Sequence, residues 1–262
     1  MLEITKRITL KNATDTAKGD VQVYLEQLLV EVVAANYRQF LSEVTERSRN
    51  GQTKAEYSCW PPLFANERQV SGIFSSSLNF MCPSTFSEHK IHRGLERSEE
   101  ENELLGKSGR VDFMSSFGNR YIGLELKRVS VGVTAAGDYT VLQNKWAEVT
   151  KQSKDAHTFM RQKEFQKSYP NGTGIGLMVV RVAKQVSDKW DIDTEIKRLA
   201  DETEKVPMEI EKLLKPDFFA TYTPPAEMQA VGGFGKNFDA FKIFPKIVFA
   251  AIVHGKAESL KG

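Results

Sequence analysis

Residues 109–128 read GRVDFMSSFGNRYIGLELKR. Two runs of strand-forming residues flank Gly118-Asn119, and glycine at the first central position suits a type II′ turn, whose twist matches the strands it joins. Counting outward pairs Phe117 with Arg120, Ser116 with Tyr121, and so on to Asp112 opposite Glu125. Opposed residues in an antiparallel pair point to one face, and Lys127, two places past Glu125, shares that face. The other face carries Val111, Phe113, Ile122, Leu124 and Leu126. One side of the expected hairpin therefore packs on a core, while the other gathers two acids and a lysine.

Like charges directly opposite destabilise a sheet, and confining both raises the pKa of one. A cation between them relieves the repulsion. Carboxylates are hard ligands, which favours Mg²⁺, Mn²⁺ or Ca²⁺ over zinc. The alternative is an exposed sheet face on which Lys127 and Arg110 simply pair with the acids.

Outward from the hairpin, apolar residues at helical spacing predict a long amphipathic helix over residues 20–47, followed by a Gly- and Pro-broken connection. A second helix is expected over 66–78, with Asn66 as N-cap and Val70, Ile73, Phe74 and Leu78 on one face. The stretch from there to about residue 107 reads as polar and irregular, with the acidic run ERSEEENE as a solvated segment. Beyond the hairpin, 144–165 reads as helix, 174–182 as a buried strand, and 193–214 as a charged pair of helical segments inserted near 190–215. IVFAAIV at 247–253 reads as a fully buried strand. This order predicts an α/β sandwich around one mixed β-sheet flanked by helices. The expected organisation is an N-terminal helical extension (1–60) packed on a larger domain (61–262).

The 262 residues are 40% hydrophobic and 27% charged, as in ordinary globular proteins. A net charge of +2 neither demands nor excludes a nucleic-acid partner, because balanced totals can hide a basic face. Cys59 and Cys82 lack the spacing of a disulfide framework or a metal site, so free or buried thiols in a reducing cytoplasm are expected. The start of the chain lacks the apolar core of a signal peptide. No apolar run approaches the roughly 20 residues that span a bilayer. The sequence thus predicts a soluble, cytoplasmic protein with no membrane partner.

An acid, a spacer of about a dozen residues and then acid-x-Lys on an apolar strand form a recognisable constellation. With VD at 111–112 and ELK at 125–127, the chain resembles the PD-(D/E)xK, restriction-endonuclease-like nuclease superfamily over about two-thirds of its length. EHK (88–90) and EIK (195–197) also match acid-x-Lys, but neither follows a partner acid across a turn. Val111 stands where the family name has proline, a position that often varies. The resemblance implies a Mg²⁺-dependent deoxyribonuclease, with Mn²⁺ able to substitute, leaving a 5′-phosphate and a 3′-hydroxyl. Endonuclease action in restriction or phage defence is the expected setting, and a homodimer or larger assembly would suit double-strand cutting. The metal ligands it implies are Asp112, Glu125, the backbone carbonyl of Leu126 and a further carboxylate. That carboxylate is Glu67 in the first turn of the helix at 66–78, with Glu88 as the other candidate. Lys127 would orient the attacking water and stabilise the transition state. Arg110, Arg128, Lys151, Gln152 and Lys154 are the residues expected to contact nucleic acid. A catalytically inactive nucleic-acid-binding or assembly subunit with the same fold is the competing reading.

Other signals are weaker. His89 and His92 lack a third ligand. NGTGIG (171–176) precedes a strand, unlike a dinucleotide fingerprint. VGGFGKN (231–237) lacks phosphate-loop spacing and reads as a loop.

Overall fold

The computed structural model describes residues 7–50, 59–93, 107–133, 139–168, 171–187, 190–232 and 240–255. Its elements begin with β1 (Ile8–Ala13), α1 (Asp20–Arg49) and a 3₁₀ turn at Pro62–Phe64, followed by α2 (Glu67–Met81). Three strands follow: β2 (Thr85–Arg93), β3 (Lys107–Phe117) and β4 (Arg120–Gly132). Next come α3 (Thr140–Met160), α4 (Lys163–Ser168) and β5 (Thr173–Ser187). The chain closes through α5 (Ile192–Glu202), α6 (Val206–Leu214), β6 (Phe218–Tyr222), α7 (Ala226–Gln229), β7 (Ala230–Gly232) and β8 (Ala240–His254).

The strands form one eight-stranded mixed sheet in the order β1-β6-β8-β5-β4-β3-β2, with β7 also paired to β8. Only β4 and β5 run parallel, joined by α3; the other pairs are antiparallel. Helices cover both faces. On one face α1 and α2 bury Tyr24, Leu25, Leu28, Val70 and Phe74 against Ile122, Leu124, Leu126, Ile175, Leu177 and Val179. On the other, α3, α5 and α6 bury Val149, Ile196, Leu199 and Ile210 against Val129, Met178, Val180 and Val248. Because both faces are covered, β5 is buried almost throughout.

Local sequence explains the best-defined boundaries. Gln69 N donates to Asn66 Oδ1 at 3.1 Å and Asn66 N to Gln69 Oε1 at 3.3 Å, a reciprocal capping box that starts α2 where expected. In α1, Asp20 lies in the first turn and Arg47 and Arg49 in the last, each favourable to the helix dipole. Gly118 has φ 58 while Asn119 keeps negative φ, as a type II′ turn requires, and the register pairs Phe117 with Arg120 through Phe113 with Leu124.

Two expectations need correction. The segment at 190–215 is no appendage: Ile192, Ile196, Leu199, Val206, Ile210 and Leu214 turn inward and complete the second layer. Most of the charged residues that suggested an insertion lie on the outer side of those helices, although Glu195 is buried. The polar stretch before the hairpin contains β2, and β1 and β6 extend the far side of the sheet. The hydrophobic core on the α1/α2 face includes Ala17 and Val21 of the N-terminal segment, which packs on the sheet. Among the described residues no helix is long and apolar enough to cross a membrane. Cys59 and Cys82 are both buried, and neither is in a disulfide.

Candidate functional site

The site is built where β3 leaves β4. Their ladder runs from the turn only as far as Phe113 and Leu124. Beyond it β3 stays with β2, while β4 continues beside β5 to Gly132. The sheet therefore forks, and Asp112 stands in the fork.

Two irregularities bring it there. The β2–β3 ladder skips the Glu88/Asp112 position, where Glu88 adopts φ 52. A non-glycine residue in this left-handed region is uncommon. Across the same point the inside-outside alternation of β3 slips. Phe113 packs in the core beneath α1 and α2, whereas Val111 packs with Met114, Ala156 and Met160 beneath α3. This corrects the expectation that Val111 and Phe113 share a face. Asp112, between them, turns edge-on, and Leu126 N donates to its Oδ2 at 2.8 Å. In a β-strand the N–H and C=O of one residue point to the same edge. The Leu126 carbonyl therefore faces the fork beside Asp112.

Glu125 and Lys127 point from β4 toward α3, as the alternation with Leu124, Leu126 and Arg128 requires. Glu125 is 1% exposed. Its neighbour on β5 is Gly176, where a Cβ would lie 2.8 Å from Ser153 Oγ and 2.9 Å from the Val149 carbonyl. Gly123, Gly174 and Gly176 thus let α3 sit directly on the sheet over the acid.

Lys127 meets a residue that the sequence did not single out. Its Nζ lies 3.2 Å from Glu148 Oε1 on α3, and Lys145 Nζ lies 2.8 Å from Glu148 Oε2. The hydrogen bond from Lys145, aided by Lys127, holds the Glu148 carboxyl below the usual range although burial acts the other way. The same bond raises Lys145. Glu148, Gln152 and Ala156 recur every four residues and form one helical stripe. Ala156 Cβ is 3.3 Å from the place a Gly123 Cβ would occupy. Four helical residues rise about 6 Å and two strand residues about 6.6 Å. With Glu148 over Lys127 and Ala156 over Gly123, Gln152 lies over Glu125. Gln152 Oε1 is buried with no hydrogen-bond partner, an orphaned polar atom directed at this layer.

The remaining expected residues divide. Glu67 is the exposed first residue of α2, and its charge acts on both Arg128 and Lys145. Two arginines on the α1/α2 side fix its helix. Arg181 donates to the carbonyls of Phe64 and Ala65 and to Ser130 Oγ, and Arg128 donates to the Ala65 carbonyl. Burial, with Arg128 nearby, lowers the proton affinity of Arg181, yet a guanidinium stays charged at neutral pH. Arg128 serves this clamp. Arg110 is bound to Glu88 at 2.6 Å on the surface, while Lys127 is bound to Glu148. Lys151 and Lys154 are exposed on α3. The EIK copy lies in helix α5, where Glu195 pairs with Arg198 at 2.5 Å. The acidic run at 96–103, most of the loop at 231–237 and the side chains of His89 and His92 fall outside the described residues.

Among the described residues no three of His, Cys, Asp and Glu come together as a metal cage. What the fork offers is smaller: two carboxylates, a backbone carbonyl and an ammonium held by a third acid. Such a set suits a hard ion that keeps much of its water, as Mg²⁺ does when bound through one or two carboxylates and a substrate phosphate. No protein-family model matches this chain, and no curated protein or solved structure matches it either.

Proposed function

We propose that the chain is a metal-dependent nuclease of the restriction-endonuclease-like kind, cutting phosphodiester bonds in DNA as an endonuclease, in the setting of restriction or phage defence. One observation carries this reading: Asp112 leaves the strand alternation to take the Leu126 N–H, beside Glu125 and Lys127. A purely structural salt-bridge face gives no reason to break two ladders at one acid.

Asp112, Glu125 and the Leu126 carbonyl would hold Mg²⁺ or Mn²⁺, with Glu67 as the further carboxylate, joining through water. The ion, when bound, lowers the pKa of a water and offsets charge on the scissile phosphate. Lys127 keeps an ammonium beside the reacting group, where it orients the attacking water and stabilises negative charge as it develops. Glu148 fixes the direction of that ammonium. Gln152 offers a carboxamide that can orient Glu125 or a water. The 3′-oxygen leaves, giving a 5′-phosphate.

The test incubates the purified chain with plasmid, linear duplex and single strands in Mg²⁺, Mn²⁺ or EDTA. Cutting should need the ion and vanish in Asp112→Asn and Lys127→Ala, with folding intact by circular dichroism. Cutting that survives both substitutions refutes the assignment. A second reading, a nucleic-acid-binding subunit that does not cut, draws on the ion pair that occupies Lys127 with Glu148. It predicts salt-dependent DNA binding with no cleavage under any metal.

A further inference from the structure

At the opposite end of β4 from the fork is a cavity of about 450 Å³, lined by the start of β4, the end of α3, the start of β5 and the end of β8. Lys127 is seven residues from Arg120 along β4, roughly 23 Å at strand spacing. This space is therefore separate from the proposed site, and its volume lies in the range of small-ligand pockets, about 300–1,000 Å³.

Its lining is one-sided in charge. Arg120, His157 and Arg161 contribute basic groups, with Asn171, Gly172, Thr173 and Gly255 neutral, and among the described residues no carboxylate lines it. Arg120 is 7% exposed. Its Nη1 reaches Thr173 Oγ1 at 3.4 Å, and its Nε lies 3.6 Å from Asp20 Oδ2, too far for a hydrogen bond. That Nε is buried with no hydrogen-bond partner. The His157 imidazole donates to the Gly172 carbonyl, and its Nδ1 is likewise buried without a partner. Arg161, the exposed C-cap of α3, makes no ion pair among the described residues. Asp20 lies near Arg120, whereas Arg161 has no ion pair among the described residues, so one of the two guanidinium charges is left unbalanced there.

A buried donor left unsatisfied costs about 1–3 kcal/mol, more when charged. Arg120 Nε is such a donor, and with the His157 imidazole beside it and a spare arginine at the rim, the cavity calls for an anion bearing several acceptor oxygens. We propose that this cavity binds the phosphoryl group of a phosphomonoester. Arg120 Nε and Arg161 donate to its oxygens, and His157 Nδ1 donates once protonated beside the anion. Thr173 Oγ1 supports the Arg120 guanidinium. The volume leaves room for more than phosphate alone, so a nucleotide or a 5′-phosphorylated nucleic-acid end can supply the group.

The test titrates the full chain with inorganic phosphate, a nucleoside 5′-monophosphate and a short oligonucleotide with or without its 5′-phosphate, by isothermal calorimetry. Arg161→Gln is the main variant, because Arg161 is exposed and its loss leaves the fold intact; His157→Asn is the second, and Lys212→Gln the charge-matched control. The expected result is saturable one-site binding of a phosphorylated probe, weakened about tenfold or more by either variant, with the control unchanged. Saturation by the free nucleotide identifies a small-molecule source. Saturation only by the phosphorylated oligonucleotide identifies a nucleic-acid end in the same pocket. No saturable binding of any phosphorylated probe at millimolar concentration overturns the proposal, as does binding that both variants leave at wild-type strength.

Discussion

Alanine at two glycines should act with opposite sign, because the space around them differs. A Cβ at Gly174 would stand 2.1 Å from the Ser153 carbonyl oxygen and 2.8 Å from His157 Cβ. Ordinary contact begins at 3.4 Å, so α3 must withdraw by roughly 1.3 Å at this point. A radial gap of even about 0.5–1 Å forfeits a quarter to a half of each dispersion contact. The contacts at stake are those of Val149, Ala156 and Met160. A backbone oxygen cannot rotate aside, so the cost belongs at the upper end of overpacking effects, about 3 kcal/mol. Gly72, exposed within α2, meets nothing within 4 Å. Alanine there removes backbone entropy from the unfolded chain and should add about 0.5–1 kcal/mol. Urea unfolding followed by circular dichroism reads both variants against wild type. At this chain length each kcal/mol moves the midpoint of thermal unfolding by about 2–4 °C, so Gly174→Ala should melt about 6–12 °C early. A Gly174→Ala protein within about 1 kcal/mol of wild type would show that α3 does not rest on β5 as described. The way Glu148 reaches Lys127 would fall with it.

Arg181→Met should cost about 3 kcal/mol in the same urea assay, since it strips charged donors from the Phe64 and Ala65 carbonyls; a neutral outcome would mean that Arg128 holds the turn alone. Glu148→Gln removes an ion pair on a side chain 39% exposed, so stability should shift by less than about 1 kcal/mol. The rate of the proposed DNA cleavage should fall more, because Lys127 loses the carboxylate that directs its ammonium; an unaltered rate would remove Glu148 from the proposed site. His157 and His254 are both lowered from 6.5, first by burial. The unfolded chain then binds more protons, so their contribution is complete above 6.5 and is lost as pH falls toward their folded values. Urea midpoints should drop between about pH 7.5 and 5.5 and flatten in the double His→Gln variant; a rise on acidification contradicts the sign.

The hairpin was legible because its determinants are local. A glycine in the turn, period-two apolar residues and the count outward fix the register without reference to the rest of the chain. The Asn66 cap was legible for the same reason. What sequence could not supply depends on distant partners. β2 is held in the sheet by β3, and its own residues carry little strand signal. Glu148 looks like any surface acid until the parallel β4–β5 pair and three glycines lower α3 onto Lys127. The helices at 190–215 were legible from their spacing, but the charge around Ile192, Ile196 and Leu199 hid that this apolar stripe completes the second layer. The slip between Val111 and Phe113 could not be counted from a regular strand.

The fork also divides the sheet by mechanical autonomy. From Val111 outward, β2 and β3 hold each other as a two-stranded arm, and the Leu126 amide is pinned to that arm by a side chain rather than by a ladder. Such an arm can open as its own cooperative unit while the remaining sheet stays closed. The exchange rate of one amide hydrogen, that of Leu126, then reports how long the two halves of the site stay together. It should slow when a ligand bridges them, whatever chemistry follows.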